Sequence, residues 1–265
     1  MPAARAPGML IDNPWFYLAA IPAVVLTGIS KSGFGGVAGG ISVPIMALVI
    51  SPVQAAAIML PILCVMDIAS IIAYRKIWDR RNLAIILPAA LLGILIGTFT
   101  FEYLTDDVVR LIVGTIAVLF ALYNWIGRRF FGRAEAPPTK RNLVKGTAAG
   151  IVSGFTSFVA HSGGPPLQIY LLPQRIDKTL YVGTTVVFFL VVNYVKLVPY
   201  ALIGQFSGIN LVSALVLLPL APLGVWLGLR LHRMVPEGLF YRIAYVMLFA
   251  TGVKLVWDGL SNTLA

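Results

Sequence analysis

The sequence predicts an all-α polytopic membrane protein of two repeats, each a broken, re-entrant helical hairpin plus three transmembrane helices. Three observations carry this reading. Charged residues make up only 11% of the chain and hydrophobic ones 59%, with a mean hydropathy of +0.90, whereas soluble domains carry about 25% charged residues. Uncharged runs cover 32–66, 82–101, 111–127, 146–174, 179–195 and 197–229, and most reach the roughly 20 apolar residues a bilayer crossing needs. Lys and Arg gather between those runs, in Arg75–Arg81 and Arg128–Lys145, as in cytoplasmic loops beside anionic lipid. A transmembrane barrel would show short alternating segments instead.

The chain divides into an N-terminal segment 1–13, a first repeat 14–127, a basic cytoplasmic linker 128–142 and a second repeat 143–260. Residues 14–30 form the first apolar stretch, preceded by a single Arg, which is a weak start for a cleaved signal peptide. Next comes KSGFGGVAGGISVP, Lys31 to Pro44, too rich in glycine for an ordinary membrane helix. The return piece, Pro44 to Ile50, has the length of a half-helix. Proline suits a first helical turn, where its missing N–H costs nothing, and Ser42 stands where a hydroxyl can cap. A span over 54–74 leads to the basic loop 75–81, read as cytoplasmic. The loop 102–107 has no basic residue and is read as outside, which places helices near 82–102 and 107–127.

The second half starts inside, near Lys145. If 143–173 crossed the membrane once, the basic loops 173–178 and 230–237 would both lie outside. If it enters and returns, both lie inside and the uncharged 203–208 lies outside, which obeys the positive-inside rule better. Its return piece begins at Pro165, with Ser162 just before it. Treating 14–50 the same way makes the two repeats inverted, with both termini outside. The competing reading takes 14–50 and 143–173 as single long broken spans, giving eight crossings and parallel repeats.

Internal matches support duplication, which is common in transporters. GFGGVAGGISVP (33–44) aligns with GFTSFVAHSGGP (154–165), DIASIIAY (67–74) with NYVKLVPY (193–200), and LPAALLGILIG (87–97) with LPLAPLGVWLG (218–228). Two half-helix N-termini converging from opposite faces would make an anion site, since each carries unpaired N–H groups and about half a positive charge. Glycine lets backbone approach a small ligand, and irregular backbone at this depth must line a cavity or be buried in protein. The candidate binding set is therefore Lys31, Ser32, Gly33, Gly35, Gly36, Gly39, Gly40, Ser42 and Pro44 from the first motif. Gly154, His161, Ser162, Gly163, Gly164 and Pro165 come from the second, with Lys196 nearby. The spacings Gly93–Gly97 and Gly224–Gly228 read as helix packing.

The glycine-rich stretch before Pro44, its copy before Pro165, the length and the charge layout resemble the sulfite exporter TauE/SafE family of membrane permeases. The resemblance spans roughly 15–260. It implies a bacterial inner-membrane transporter of sulfur oxyanions or organosulfonates, such as sulfite or sulfoacetate. The second copy departs from the first, with Thr156, Ser157 and His161 in place of glycines.

Ionisable residues inside apolar spans are costly and often functional. Asp67, aligned with Asn193, is either a coupling or gating carboxylate or a hydrogen-bond anchor for a hairpin. Lys196 either faces the anion or snorkels outward. Lys31 supplies substrate charge, reaches the surface or pairs with a carboxylate. His161 donates to an oxyanion, carries a proton, or is a satisfied buried imidazole. His232 reads as a surface residue, and Tyr74 and Tyr200 as interfacial anchors.

The expected function is secondary transport of a small anion by alternating access, with an anion channel or the membrane subunit of a complex as alternatives. The net charge of +10 lies in loops, which argues against nucleic acid. One cysteine, Cys64, makes neither an intrachain disulfide nor a metal site. No Walker motif and no HExxH motif occurs, so neither enzymatic activity nor a cofactor is expected. The partners expected are a small anion, the bilayer and, for uptake, protons or another coupling ion. A homo-oligomer is left open.

Overall fold

The computed structural model describes residues 11, 13–36, 42–100 and 138–264, together with 107, 108, 110, 111, 114, 115, 117–119, 121, 122 and 125. Every regular element among them is helical. They are α1 (Pro14–Phe34), α2 (Ser42–Met46), α3 (Pro52–Ala73), α4 (Arg80–Thr100), α5 (Leu143–Ala160), α6 (Gly164–Leu171), a 3₁₀ turn (Leu172–Gln174), α7 (Lys178–Leu202), α8 (Gly208–Leu217), α9 (Leu220–Met234) and α10 (Glu237–Leu264). Among the described residues, α1, α3, α4, α7 and α10 are long and apolar enough to cross a bilayer. The pair α8 and α9, bent by 44°, qualifies as a sixth span.

Polar residues at the loop ends start these helices. Asn13 accepts from Trp15 N at 3.1 Å, Ser51 from Gln54 N at 3.2 Å, Asn142 from Lys145 N at 2.9 Å and Asp177 from Thr179 N at 2.8 Å. Ser42 is already the first residue of α2, and α6 is preceded by Gly163 with no side-chain cap. Pro165 instead occupies the first turn of α6.

Packing between helices in lipid depends on close approach rather than on a hydrophobic drive. Here α4 lies along α5, and α1 along α9. Glycine makes both contacts possible. A Cβ on Gly154 would stand 2.7 Å from the Ala90 carbonyl carbon, and one on Gly28 would stand 2.8 Å from the Gly224 backbone. Gly93, Gly97, Gly224 and Gly228 all sit in these two seams, the packing role expected for them. Large apolar side chains such as Phe99, Val198, Leu202 and Trp226 face outward, as lipid contact requires.

Contacts between distant segments sort the loops into two ends. At one end Arg141 Nη2 lies 2.9 Å from Asp79 Oδ2, Asn82 Nδ2 donates to Gln174 Oε1 at 2.9 Å, and Thr139 N donates to Pro173 O at 2.9 Å. The pair α5–α6 therefore returns to the end it started from. At the other end Gln54 Nε2 donates to Asn210 Oδ1 at 3.2 Å, and Ile11, Tyr17, Val49, Ile50 and Leu218 share one apolar cluster. The pair α1–α2 likewise returns to its own starting end.

The tips of the two pairs are built alike. α1 ends at Gly35 with φ 68°, and Gly36 N donates to Ser30 O at 2.9 Å. α5 ends at His161 with φ 52°, and Ser162 N donates to Thr156 O at 3.0 Å. The left-handed region is uncommon for a residue other than glycine. The hydrogen bond made by Gly36 N thus recurs at Ser162, and not at Ser157 as the alignment of 33–44 with 154–165 had it. Apolar sequence offers too few distinctive residues to fix such a register.

Three sequence-based expectations need correction. His232 is buried, not a surface residue: its Nδ1 lies 3.0 Å from Gly33 O and its Nε2 3.2 Å from Thr179 Oγ1. Tyr74 and Tyr200 are buried as well, not interfacial anchors. Each hydroxyl is spent on a hairpin carbonyl, Tyr74 on Ser32 O at 2.6 Å and Tyr200 on Phe158 O at 3.1 Å. The residues Gly39, Gly40 and 128–137 of the predicted motif and linker lie outside the described residues.

Candidate functional site

The two tips meet. A Cβ on Gly164 would stand 2.9 Å from Gly36 O. Beside this contact lies a cavity with about 400 Å³ of empty space, its open mouth included. It is lined by Thr27, Lys31 and Gly36 of the first hairpin, Leu63 of α3, and Ser157, His161 and Gly164 of the second hairpin. Phe189, Asn193 and Lys196 of α7 complete it.

The cavity holds two buried ammonium groups with different partners. Lys31 Nζ lies 2.6 Å from Asp67 Oδ1, and both side chains are buried. This is a close ion pair, not a well-angled hydrogen bond. The other carboxylate oxygen, Oδ2, accepts from Asn193 Nδ2 at 2.8 Å. Asp67 on α3 thereby ties the first hairpin to α7. Lys31 Nζ also stands 5.9 Å from the centre of the Phe189 ring.

Among the described residues, Lys196 has no carboxylate partner. Its Nζ donates to Ser157 O at 3.0 Å and to Ser157 Oγ at 3.1 Å, and the residue is 1% exposed. It does not snorkel. His161, on the same hairpin, has its Nδ1 3.4 Å from the Tyr200 hydroxyl, and its ring is tilted against that tyrosine. Gly164 opens α6, whose first turn carries the partial positive charge of a helix N-terminus.

The positions that make these contacts recur at one spacing, as does the tyrosine–carbonyl bond of Tyr74 and Tyr200. Lys31, Ser32, Asp67 and Tyr74 stand 126 residues before Ser157, Phe158, Asn193 and Tyr200. Ser70, also buried, stands 126 before Lys196. The chemistry differs between the copies: one has the ion pair Lys31–Asp67, the other the pair Lys196–Ser157.

Of the residues predicted for the site, Lys31, Gly36, His161, Gly164, Asn193 and Lys196 line the cavity, and Asp67 reaches it through Lys31 and Asn193. Most of the other described ones do mechanical work around it. Ser32 Oγ donates to Gly28 O at 2.8 Å and Val225 O at 2.9 Å, and Gly33 packs on Gly228 O. Gly35 lies under Tyr181 and Thr185, and Gly154 lies against Ala90. Thr156 Oγ1 donates to Ser162 O at 3.2 Å and Ser153 Oγ to Gly163 O at 2.5 Å, which hold the second tip in shape. Pro165 is buried in α6, while Ser42 and Pro44 belong to the five-residue α2.

Sequence reasoning missed Ser157, Thr27, Leu63 and Phe189 as cavity residues. Ser157 was findable, because the Asp67–Asn193 match already has the spacing that pairs it with Lys31. Nothing marks Leu63 or Phe189 among so many apolar residues.

A family model described as sulfite exporter TauE/SafE matches residues 20–255 of this chain. No curated protein and no solved structure matches it.

Proposed function

The chain belongs to the sulfite exporter TauE/SafE family of membrane transporters of sulfite and related sulfur compounds, and from that premise we propose that it is a secondary transporter. It binds a small sulfur oxyanion or sulfonate in the cavity between the two hairpin tips. The observation that carries the reading is Lys196, a fully buried ammonium whose hydrogen bonds, among the described residues, go to the carbonyl and hydroxyl of Ser157. A buried cation without a counter-charge is costly. An anion entering the cavity relieves that cost and finds the first turn of α6 beside it.

The arrangement supports alternating access through inverted repeats. The two hairpins start from opposite ends, and the hydrogen bonds that hold them recur at a spacing of 126 residues. Rocking one hairpin with its partners against the other would expose the cavity to each side in turn. The basic loops 75–81 and 128–145 would face the cytoplasm of a bacterial inner membrane. With the inside negative, export of one negative charge gains about 2.3 kcal/mol per 100 mV and needs no coupling ion.

The test is counterflow of labelled sulfite in liposomes holding the purified chain. An anion about 4 Å from Lys196 Nζ gains roughly 4 kcal/mol at an effective dielectric near 20. Lys196→Met should therefore weaken binding about a thousandfold and abolish saturable counterflow. Normal counterflow in that variant overturns the reading.

A further inference from the structure

We propose that the cavity is matched to a single negative charge, so that the transporter takes monoanions and rejects dianions. Hydrogen sulfite and singly charged sulfonates fit. Fully ionised sulfite, sulfate and carboxylated sulfonates such as sulfoacetate do not. The inference rests on the cavity being the anion site and adds the charge of its occupant.

Buried charge sets what the cavity can hold. Among the described residues, the ionisable side chains on or beside the cavity are Lys31, Asp67, Lys196, His161 and Cys64, with the neutral Tyr200 phenol against His161. His161 and Cys64 carry no charge in their ordinary forms at neutral pH. Lys31 and Asp67 cancel, at 2.6 Å from each other. Lys196 remains, and with its ammonium charged, as an arriving anion favours, the site offers one net positive charge. The first turn of α6 adds less than the usual half charge, because Pro165 and Pro166 carry no N–H, and so falls well short of a second unit.

Lys31 is not free to neutralise a second negative charge. If it left Asp67, that carboxylate would keep, among the described residues, the Asn193 amide alone, at 0% exposure. Leaving one member of a buried pair uncompensated is strongly unfavourable. A monoanion thus brings the site to neutrality, whereas a dianion leaves one unpaired negative charge facing Asp67 in a low-dielectric cavity. The loaded site is neutral, so the field across the membrane acts little on the step that carries it.

The test is binding to the purified full chain at pH 7 and constant ionic strength. Methanesulfonate serves as a fixed monoanion and sulfate as a fixed dianion, read by calorimetry or by thermal stabilisation. In the wild type methanesulfonate should bind at least about a hundredfold more tightly than sulfate. Asp67→Asn raises the net charge to two and should bring sulfate level with methanesulfonate or ahead of it. The double variant Lys31→Met with Asp67→Asn returns the charge to one and should restore the wild-type preference. That double variant carries the test if Asp67→Asn alone does not fold. Equal binding of the two anions by the wild type, or a double variant that prefers sulfate, overturns the charge inference. Lys196→Met separates the two levels: if it abolishes binding of both anions while the wild type binds them equally, only the charge inference falls. If it changes neither, or if neither anion binds the wild type, the cavity is not the anion site and both readings fall.

Discussion

Lys31 and Asp67 form the sharpest energetic feature of the cavity, and removing them singly and together tests the arrangement. Both side chains are buried and their charged atoms stand 2.6 Å apart. Lys31→Met leaves Asp67 with the Asn193 amide as its remaining partner. Asp67→Asn leaves two buried ammonium groups, Lys31 and Lys196, in one cavity without a carboxylate. Breaking a buried pair from one side costs about 3–5 kcal/mol, because the survivor is an uncompensated charge. The double variant removes both charges and leaves a neutral amide at position 67 able to meet Asn193, so it should sit within about 1–2 kcal/mol of wild type. The coupling between the two sites should then be on the order of 3 kcal/mol or more. Unfolding of the detergent-solubilised protein by denaturant, followed by loss of helical signal at pH 7, measures the wild type and all three variants. Single variants each within about 1 kcal/mol of wild type, or a double variant that costs the sum of the singles, would refute the reasoning.

The packing seams, the basic end and the topology make separate predictions. Gly154→Ala puts a methyl within 2.7 Å of the Ala90 backbone and should cost about 1–3 kcal/mol by forcing α4 and α5 apart, read by the same unfolding assay. At Asp79 burial raises the carboxyl pKa, but bonds from Asn82 N, Arg141 and Arg81 N outweigh it and hold the group below the usual carboxylate range. Its contribution is therefore complete above the unfolded value of about 4 and is lost as pH falls through the lower folded value. Asp79→Asn should lack that part of the acid loss in a series of unfolding midpoints against pH. A cytoplasm-active reporter fused after Arg175 should work and one fused at the C-terminus should not, and the opposite pattern would overturn the proposed orientation.

Much of the architecture was legible because the bilayer is a demanding solvent. Uncharged runs had to be helices, and glycine followed by proline marked the two tips. Register was harder. The glycine motif of the first half lines up by eye with 154–165, yet the hydrogen bonds repeat at a spacing of 126, which matches Gly35 with His161. Two different residues meet the same left-handed requirement, so identity misled where geometry agrees. The ionisable members of the site stood out because charge is rare in these spans. Ser157 did not, since a hydroxyl in an apolar run commonly bonds its own helix. His232, Tyr74 and Tyr200 were misjudged for a related reason. Each sits near a helix end, where exposure is the usual expectation, but each is drawn inward by a hairpin carbonyl that lacks a helical partner.

The central claim is that an anion sits between the hairpin tips against Lys196. Selenite, a heavier relative of sulfite, allows the position to be seen directly by anomalous diffraction from crystals of the full chain at neutral pH. The account predicts a selenium peak within hydrogen-bond reach of Lys196 Nζ and beside Gly164. Ordered selenium elsewhere in the protein, with the cavity between the tips unoccupied, would contradict it.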